Sequence, residues 1–484
     1  MSDVQSVSVK PKARAKNLPG PWVKWLTLWH RWAGVVLCLM FCIWFATGSV
    51  MVFVPFPALD PADRDAHSEV IQLGEVRVAP QVALAGDPNA ALHMVSVLGA
   101  PVYVRAGKRD IAIRADTGSP LAPLTPTQAG SIAAAFGGTA IASVSPPVDY
   151  DQWIVHQQFD HLRPFYRVAL NDPAHTELYV SQRTGEVAQK TTESQRVLNW
   201  VGSVIHWIYI TPIRKTFSLW DQVVWWVSLA GLFLTVAGLT LGILRSTKSL
   251  KNAKRPRLTP FRGWLEWHHK LGLFAGILVL IWIFSGWLSM DHGRLFSNGE
   301  MLPEAEATYQ GGVLANILKP VTPASLANAN GATRLDFSAV AGQAIVSAKG
   351  PSLDTQVDDR LVLSGLKAVW GGAAPKALAP VSLNATYALA EGLAGRVRLA
   401  HLGDKGRTDL YIDGASGRIL VVMDGSRAAY AWVYYVFHTW NYPWLATHPI
   451  VHNTLVLLLL LAGFSFSLTS LIIAVKRLRL TLNV

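Results

Sequence analysis

Trp267-His268-His269-Lys270-Leu271-Gly272 stands at the mouth of an apolar run, Leu271 to Met290. An earlier stretch matches it: Trp29-His30-Arg31-Trp32-Ala33-Gly34 opens the apolar run Trp32 to Phe56. Placing Gly34 on Gly272 puts His30 on His268, and further along it puts Thr47-Gly48 on Ser285-Gly286. A histidine therefore recurs at the same depth of two long apolar segments. Crossing the hydrocarbon of a bilayer takes ~20 mainly apolar residues, and an ionisable side chain there is costly unless it has a partner. The fold is decided by these segments, and the function by what the histidines hold.

Of the 484 residues, 51% are apolar, and the chain is too oily for an ordinary soluble protein. Four stretches are long and apolar enough to span: Trp32–Phe56, Val223–Leu244, Leu271–Met290 and Pro449–Val475, none holding Asp, Glu, Lys or Arg. Basic residues flank them. Lys10, Lys12, Arg14, Lys16 and Lys24 precede the first, Arg245 to Arg262 joins the second to the third without an acid, and Lys476, Arg477 and Arg479 follow the fourth. Lys and Arg gather on the cytoplasmic side, so both termini and the 2–3 loop are expected inside a bacterial inner membrane. The net charge of +12 follows from this topology, and no nucleic-acid partner is expected. The first span is far longer than the core of a signal peptide and reads as an uncleaved anchor.

The expected division follows. Residues 1–23 are a cytoplasmic basic N-terminus, 24–56 the first spanning helix, and 57–216 a periplasmic domain with an interfacial helix. Residues 217–246 form the second spanning helix, 247–263 a cytoplasmic basic loop and 264–290 the third. Residues 291–448 are a second periplasmic domain with an interfacial helix, 449–475 the fourth spanning helix, and 476–484 a cytoplasmic tail.

An offset of 232 maps much of one half onto the other: Leu178-Tyr179-Val180 onto Leu410-Tyr411-Ile412, Gly185 onto Gly417, Trp200 onto Trp432 and His206 onto His438. The opening helices need an offset of 238. Repeats of this kind imply an internal duplication with a pseudo-twofold axis along the membrane normal. Glu177–Ser181 and Asp409–Asp413 alternate like half-buried strands and lead through Thr184-Gly185 and Ser416-Gly417 into return strands, the pattern of hairpins. Thr127 to Phe136 and Ala385 to Leu393 read as short helices, and Ser194 to Tyr209 and Ser426 to Asn441 as aromatic interfacial helices.

The His-Arg-x-x-Gly opening of a helix with Thr-Gly in its outer half resembles the PepSY-associated transmembrane family. So do the Tyr-x5-Gly-x-(Ile/Val) hairpin and a histidine shortly before the next span. The resemblance covers about residues 24–480. It implies an α-helical integral membrane protein with four transmembrane helices and two periplasmic α+β, PepSY-like domains. Members include iron-regulated inner-membrane proteins and haem-containing ferric-siderophore reductases.

Histidine is a common axial ligand of b-type haem, and packed helices can aim facing side chains at a cofactor between them. Spans two and four carry no histidine in their inner halves, so an inner haem must use His30 with His268 or His269, and repeat equivalence favours His268. His206 and His438 are the equivalent pair for an outer haem, with His292 and His452 as alternatives whose matching places hold Val54 and Trp220. The expected cofactor is haem b, two per chain. The bland reading of each histidine is a satisfied interfacial residue. His156 and His161, with Asp151 and Asp160, read either as a metal site or as a solvated polar loop. Cys38 and Cys42, four apart in the first span, read as packing residues.

No G-x-x-x-x-G-K-[ST], strand-linked G-x-G-x-x-G, G-x-S-x-G or His-Glu-x-x-His motif occurs. Nucleotide binding and hydrolysis are therefore unsupported, and the catalytic residues stay unassigned. The expected function is transfer of electrons across the membrane to reduce a periplasmic substrate; the resemblance implies a ferric siderophore or other iron chelate. The donor would be a quinol or a cytoplasmic flavoprotein. The alternative is a non-enzymatic PepSY-type scaffold or regulator of periplasmic proteins.

Overall fold

Backbone amides in hydrocarbon find no water, so an apolar run must satisfy them within itself as a helix. In the computed structural model, which describes residues 20–251, 256–350, 353–381, 393 and 397–482, four helices meet that demand. They are Pro21–Met51, Phe217–Leu250, Trp264–Ser289 and Pro449–Leu482. Each contains a window of mean hydropathy between 2.1 and 2.4, and large apolar side chains such as Val36, Phe274 and Ile277 face outward, as lipid-facing residues do. The first helix stops at Met51 rather than at Phe56, because the residue before Pro55 is pushed out of helical geometry. The second and fourth run past their apolar stretches into the flanking basic segments, to Leu250 and Leu482.

The chain divides into two compact units. One gathers the basic ends of the four helices, through residues 42, 231–280 and 465 onward. The other holds residues 43–230 and 281–464, which include every strand among the described residues.

Within the second unit three antiparallel sheets form. A four-stranded sheet runs Ile141–Val144, Phe165–Leu170, Glu177–Ser181 and Val187–Thr191. A second runs Ala379–Pro380, Val397–His401, Asp409–Asp413 and Ile419–Met423. Their registers coincide at an offset of 232. Phe165 faces Ser181 as Val397 faces Asp413, Glu177 faces Thr191 as Asp409 faces Met423, and a register shift falls at Tyr179/Val180 and again at Tyr411/Ile412. Gly185 and Gly417 close the hairpins with φ of 75° and 70°, a conformation that an L side chain resists.

The third sheet has six strands and joins the two sheet-bearing segments. Leu92–Val97, Ala100–Arg105 and Ile111–Arg114 come from the first, and Arg334–Val340, Gln343–Gly350 and Leu353–Asp354 from the second. Leu92–Val97 and Arg334–Val340 pair along the seam, with His93 opposite Asp336. Val97 pairs with Ala100 as Val340 pairs with Gln343, so a 243-residue offset relates the hairpins. His93 and Asp336 are the same position under it, which puts a local twofold axis between them. Met94, Tyr103, Leu335 and Phe337 form the core beneath this seam, each 2% exposed or less. At roughly 25 cal/mol per Å² of apolar area, such a shared core binds the segments into one body.

The expected helix near Thr127 runs from Pro126 to Gly137 behind a capping box at Thr125 and Gln128. Residues 385–392 of the other expected helix lie outside the described residues. The interfacial helices are not uniform. Glu193–Asn199 continues into a π-helical turn at Trp200–Val204, and Gly425–Ala431 into one at Trp432–His438. Wide turns of this kind re-aim the residues that follow, often at functional sites.

Candidate functional site: two histidine pairs

In the unit of basic helix ends, His30 on the first helix and His268 on the third face each other with ring centres 6.5 Å apart. Each ring is held by one nitrogen. His30 Nδ1 lies 3.2 Å from the Leu234 carbonyl, which can only accept, so Nδ1 carries the proton. His268 Nδ1 lies 3.2 Å from the Thr469 and Ser470 hydroxyls. Both hydroxyls donate to the Phe466 carbonyl, so both oxygens are free to accept. Phe466 stacks on His268 at 5.0 Å. These contacts fix the tautomer and leave Nε2 of each ring without a protein hydrogen bond among the described residues; a histidine held through Nδ1 in this way has Nε2 available to bind a metal.

The close approach of His30 depends on Gly238, where a Cβ would lie 2.7 Å from the ring. The pair lines a cavity of about 660 Å³, within the range of cofactor sites. With metal–imidazole bonds of about 2.0 Å and ring centres about 1.2 Å behind the ligating nitrogens, two rings facing one metal would stand about 6.4 Å apart. The observed ring spacing is compatible with one metal shared by the two rings. Cys38 lines the same cavity.

The second pair lies in the other unit. His206 Nδ1 is 3.0 Å from the Thr47 hydroxyl, which itself donates to the Ile43 carbonyl. His438 Nδ1 is 3.2 Å from the Ser285 hydroxyl. Trp44 Nε1–H donates to the His206 carbonyl at 3.0 Å, and Trp282 Nε1–H donates to the His438 carbonyl at 2.8 Å. Gly48 and Gly286 face these rings: a Cβ would stand 3.5 Å from His206 and 2.9 Å from His438. All four candidate histidines thus share one design, in which a carbonyl or hydroxyl fixes Nδ1 and Nε2 stays open.

The alternatives are placed differently. His269 turns from His268 to the second helix, Nε2 lying 3.1 Å from the Gly242 carbonyl. His452 has both nitrogens engaged, by Asn453 at 3.0 Å and the Thr439 carbonyl at 2.9 Å, which leaves neither open. His292 Nδ1 meets Asp221 at 2.6 Å and its ring packs on Trp225, so a carboxylate rather than a hydroxyl or carbonyl holds it.

The sheet-side histidines mostly meet carboxylates: His67 with Asp63, His93 with Glu186, His161 with Asp110 and His401 with Asp409. The hydrogen bond to Asp110 raises His161 above its ordinary pKa. His156 instead packs on Phe56 and Tyr209, and burial with the charge of Arg214 lowers it to about 4. Asp151 is taken by Tyr179 and Arg167, and Asp160 by Arg163. The loop residues do not converge, and no group of three metal-binding side chains is found among the described residues. Beside the seam, burial raises Glu186, but His93, Arg334 and Arg64 outweigh it and hold the carboxyl down at about 2.

Sequence reasoning named the four histidines but missed their holders. Leu234 acts through its backbone, which has no sequence signature. Gly238 and Ser470 are related by the offset of 232, as are Leu234 and Phe466; that correspondence was the available signal. Comparison with curated proteins finds no match to this chain. The family described as the PepSY-associated TM region matches residues 27–477. The chain is a multi-pass membrane protein that belongs to the PepSY-associated transmembrane family.

Proposed function

We propose that this protein is a b-type di-haem electron-transfer protein of a bacterial inner membrane that reduces a periplasmic ferric chelate such as a ferric siderophore. Its termini and 2–3 loop are cytoplasmic, on the basic side, and its sheets periplasmic. Its halves descend from a duplication, a reading supported by the coincident registers and by the shared design of the histidine pairs. The observation that carries the proposal is that design: His30 and His268 stand 6.5 Å apart with Nδ1 of each ring held and Nε2 open.

His30 with His268 would hold one haem and His206 with His438 the other. Haem supplies one-electron chemistry whose potential the ligands and their hydrogen bonds tune. The chain's own residues orient and insulate. Leu234, Thr469 and Ser470 keep the proton on Nδ1 of the first pair, and Thr47 and Ser285 do so for the second. A Nδ1–H···O bond makes Nε2 a stronger donor. Gly238, Gly48 and Gly286 leave room for the rings, and apolar helix faces keep water out. The donor is a quinol or a cytoplasmic flavoprotein, and reduction weakens the chelate because such ligands suit Fe(III).

A reduced-minus-oxidised absorption spectrum of the purified protein, with a haem-to-protein ratio, tests this. Two b-type haems per chain are expected. A folded, colourless protein from haem-supplied cells would refute the proposal and favour a non-enzymatic scaffold.

A further inference from the structure

The cavity around His30 and His268 is lined mainly by apolar side chains together with five cations. Arg31, Arg245, Arg262, Lys476 and Arg477 come from the first helix, the second, the segment before the third, and the fourth. Among the described residues no acid lines the cavity and none of these five makes an ion pair. A second cleft of about 240 Å³ adjoins it, lined by Val23, Lys24, Thr27, Leu28, Arg31 and Arg245. Thr27, Arg31 and Arg245 line both spaces, so the cleft opens from the cavity that holds the histidine pair. Positive-inside topology accounts for cations near these helix ends; it does not account for three of them converging on one cleft beside the pair.

We infer that the Lys24–Arg31–Arg245 cleft is a carboxylate site that binds the propionates of the porphyrin held by His30 and His268. This rests on the proposed haem function. Guanidinium groups suit carboxylates because their paired N–H groups match two oxygens. The cleft also selects an orientation. The 238 offset that carries His30 onto His268 carries Arg31 onto His269, a ring bonded to the Gly242 carbonyl. Two nearly equivalent histidines would accept a planar group either way round. The repeat counterparts of Lys24 and Arg245, Arg262 and Arg477, also line the cavity, but Arg31 has a histidine for its counterpart and only Lys24, Arg31 and Arg245 share the adjoining cleft, so the propionate edge is assigned to that side.

The test compares haem with its dimethyl ester, in which both carboxylates are blocked. Full-length protein from haem-starved cells is titrated with each, read on the absorption band that His268→Ala removes. Wild type is expected to bind haem at least about tenfold more tightly than the ester, since a charge-assisted bond of this kind contributes about a factor of ten or more. Arg31→Gln with Arg245→Gln is expected to lose that preference, weakening haem but not the ester. Arg31→Lys should keep much of it, and the double variant should lower the midpoint potential of the band. Equal binding of haem and ester by wild type overturns the inference, as does a preference that survives the double substitution. If the cleft serves a lipid phosphate instead, the double variant will lose co-purified anionic phospholipid while keeping the haem preference, which also overturns it. Wild type that binds neither porphyrin overturns the haem proposal itself; wild type that binds both equally overturns only the carboxylate site.

Discussion

Gly238→Ala separates the histidine geometry from the stability of the helix that frames it. In a helix interior alanine is better than glycine by about 1 kcal/mol, so on helix propensity the variant should fold as well as wild type or better. Its Cβ, however, would stand 2.7 Å from His30 Cε1, and ordinary contact begins near 3.4 Å. The ring must yield by at least about 0.7 Å, several times the ~0.2 Å over which metal–ligand distances hold. Moving it also stretches the 3.2 Å bond to the Leu234 carbonyl, and loss of such an orienting contact typically costs 10–100-fold in metal affinity. The expected variant is well folded and keeps about one haem of two, the survivor being the one at His206 and His438. Haem-to-protein ratio and the difference spectrum are the assay, with thermal unfolding alongside. Gly242→Ala is the control: its Cβ would meet only Leu273, at 3.3 Å, and both haems should remain. A Gly238→Ala protein with the full complement and an unchanged spectrum would refute the placement of His30 as a ligand.

Other substitutions reach the remaining features. Thr47→Val removes the acceptor of His206 Nδ1; an orphaned buried N–H costs about 1–3 kcal/mol, and haem dissociation from that pair should speed 10–100-fold in a transfer assay to an apo-globin acceptor. Glu186→Gln leaves Arg334 and Arg64 beside a neutral side chain and should destabilise the protein by about 2–4 kcal/mol, seen as a lower Tm by tryptophan fluorescence. Because Glu186 is held at about 2 in the fold against 4.5 when free, its contribution is present above pH 4.5 and fades as pH falls from there to about 2. A drop of about 2.5 units corresponds to about 3 kcal/mol, and the glutamine variant should lack that acid-dependent loss. Gly417→Ala forces a side chain onto a φ of 70° and to 2.8 Å from Val340, which should cost about 1–3 kcal/mol of stability, read as a lower Tm, without loss of haem.

The features that the sequence made legible are local or repeated. The spans follow from apolar length, the hairpins from alternation around Gly185 and Gly417, and the four histidines from two offsets. The six-stranded sheet was not legible. Its seam pairs Leu92–Val97 with Arg334–Val340, some 240 residues away and under a third offset, and neither stretch carries a turn signal that names its partner. The π-helical turns before His206 and His438 likewise leave no periodic trace, since the extra residue per turn reads as an ordinary aromatic helix. His452 looked as eligible as His438 by depth alone; only the contacts to Asn453 and Thr439 distinguish them.

The central claim is that each histidine pair holds one haem. Low-temperature electron paramagnetic resonance of the oxidised, purified protein, beside His268→Ala and His438→Ala, tests it most directly. The account predicts two low-spin ferric signals in wild type, with a different one lost in each variant. A protein without haem signals, or variants that both retain the two low-spin signals, would contradict it.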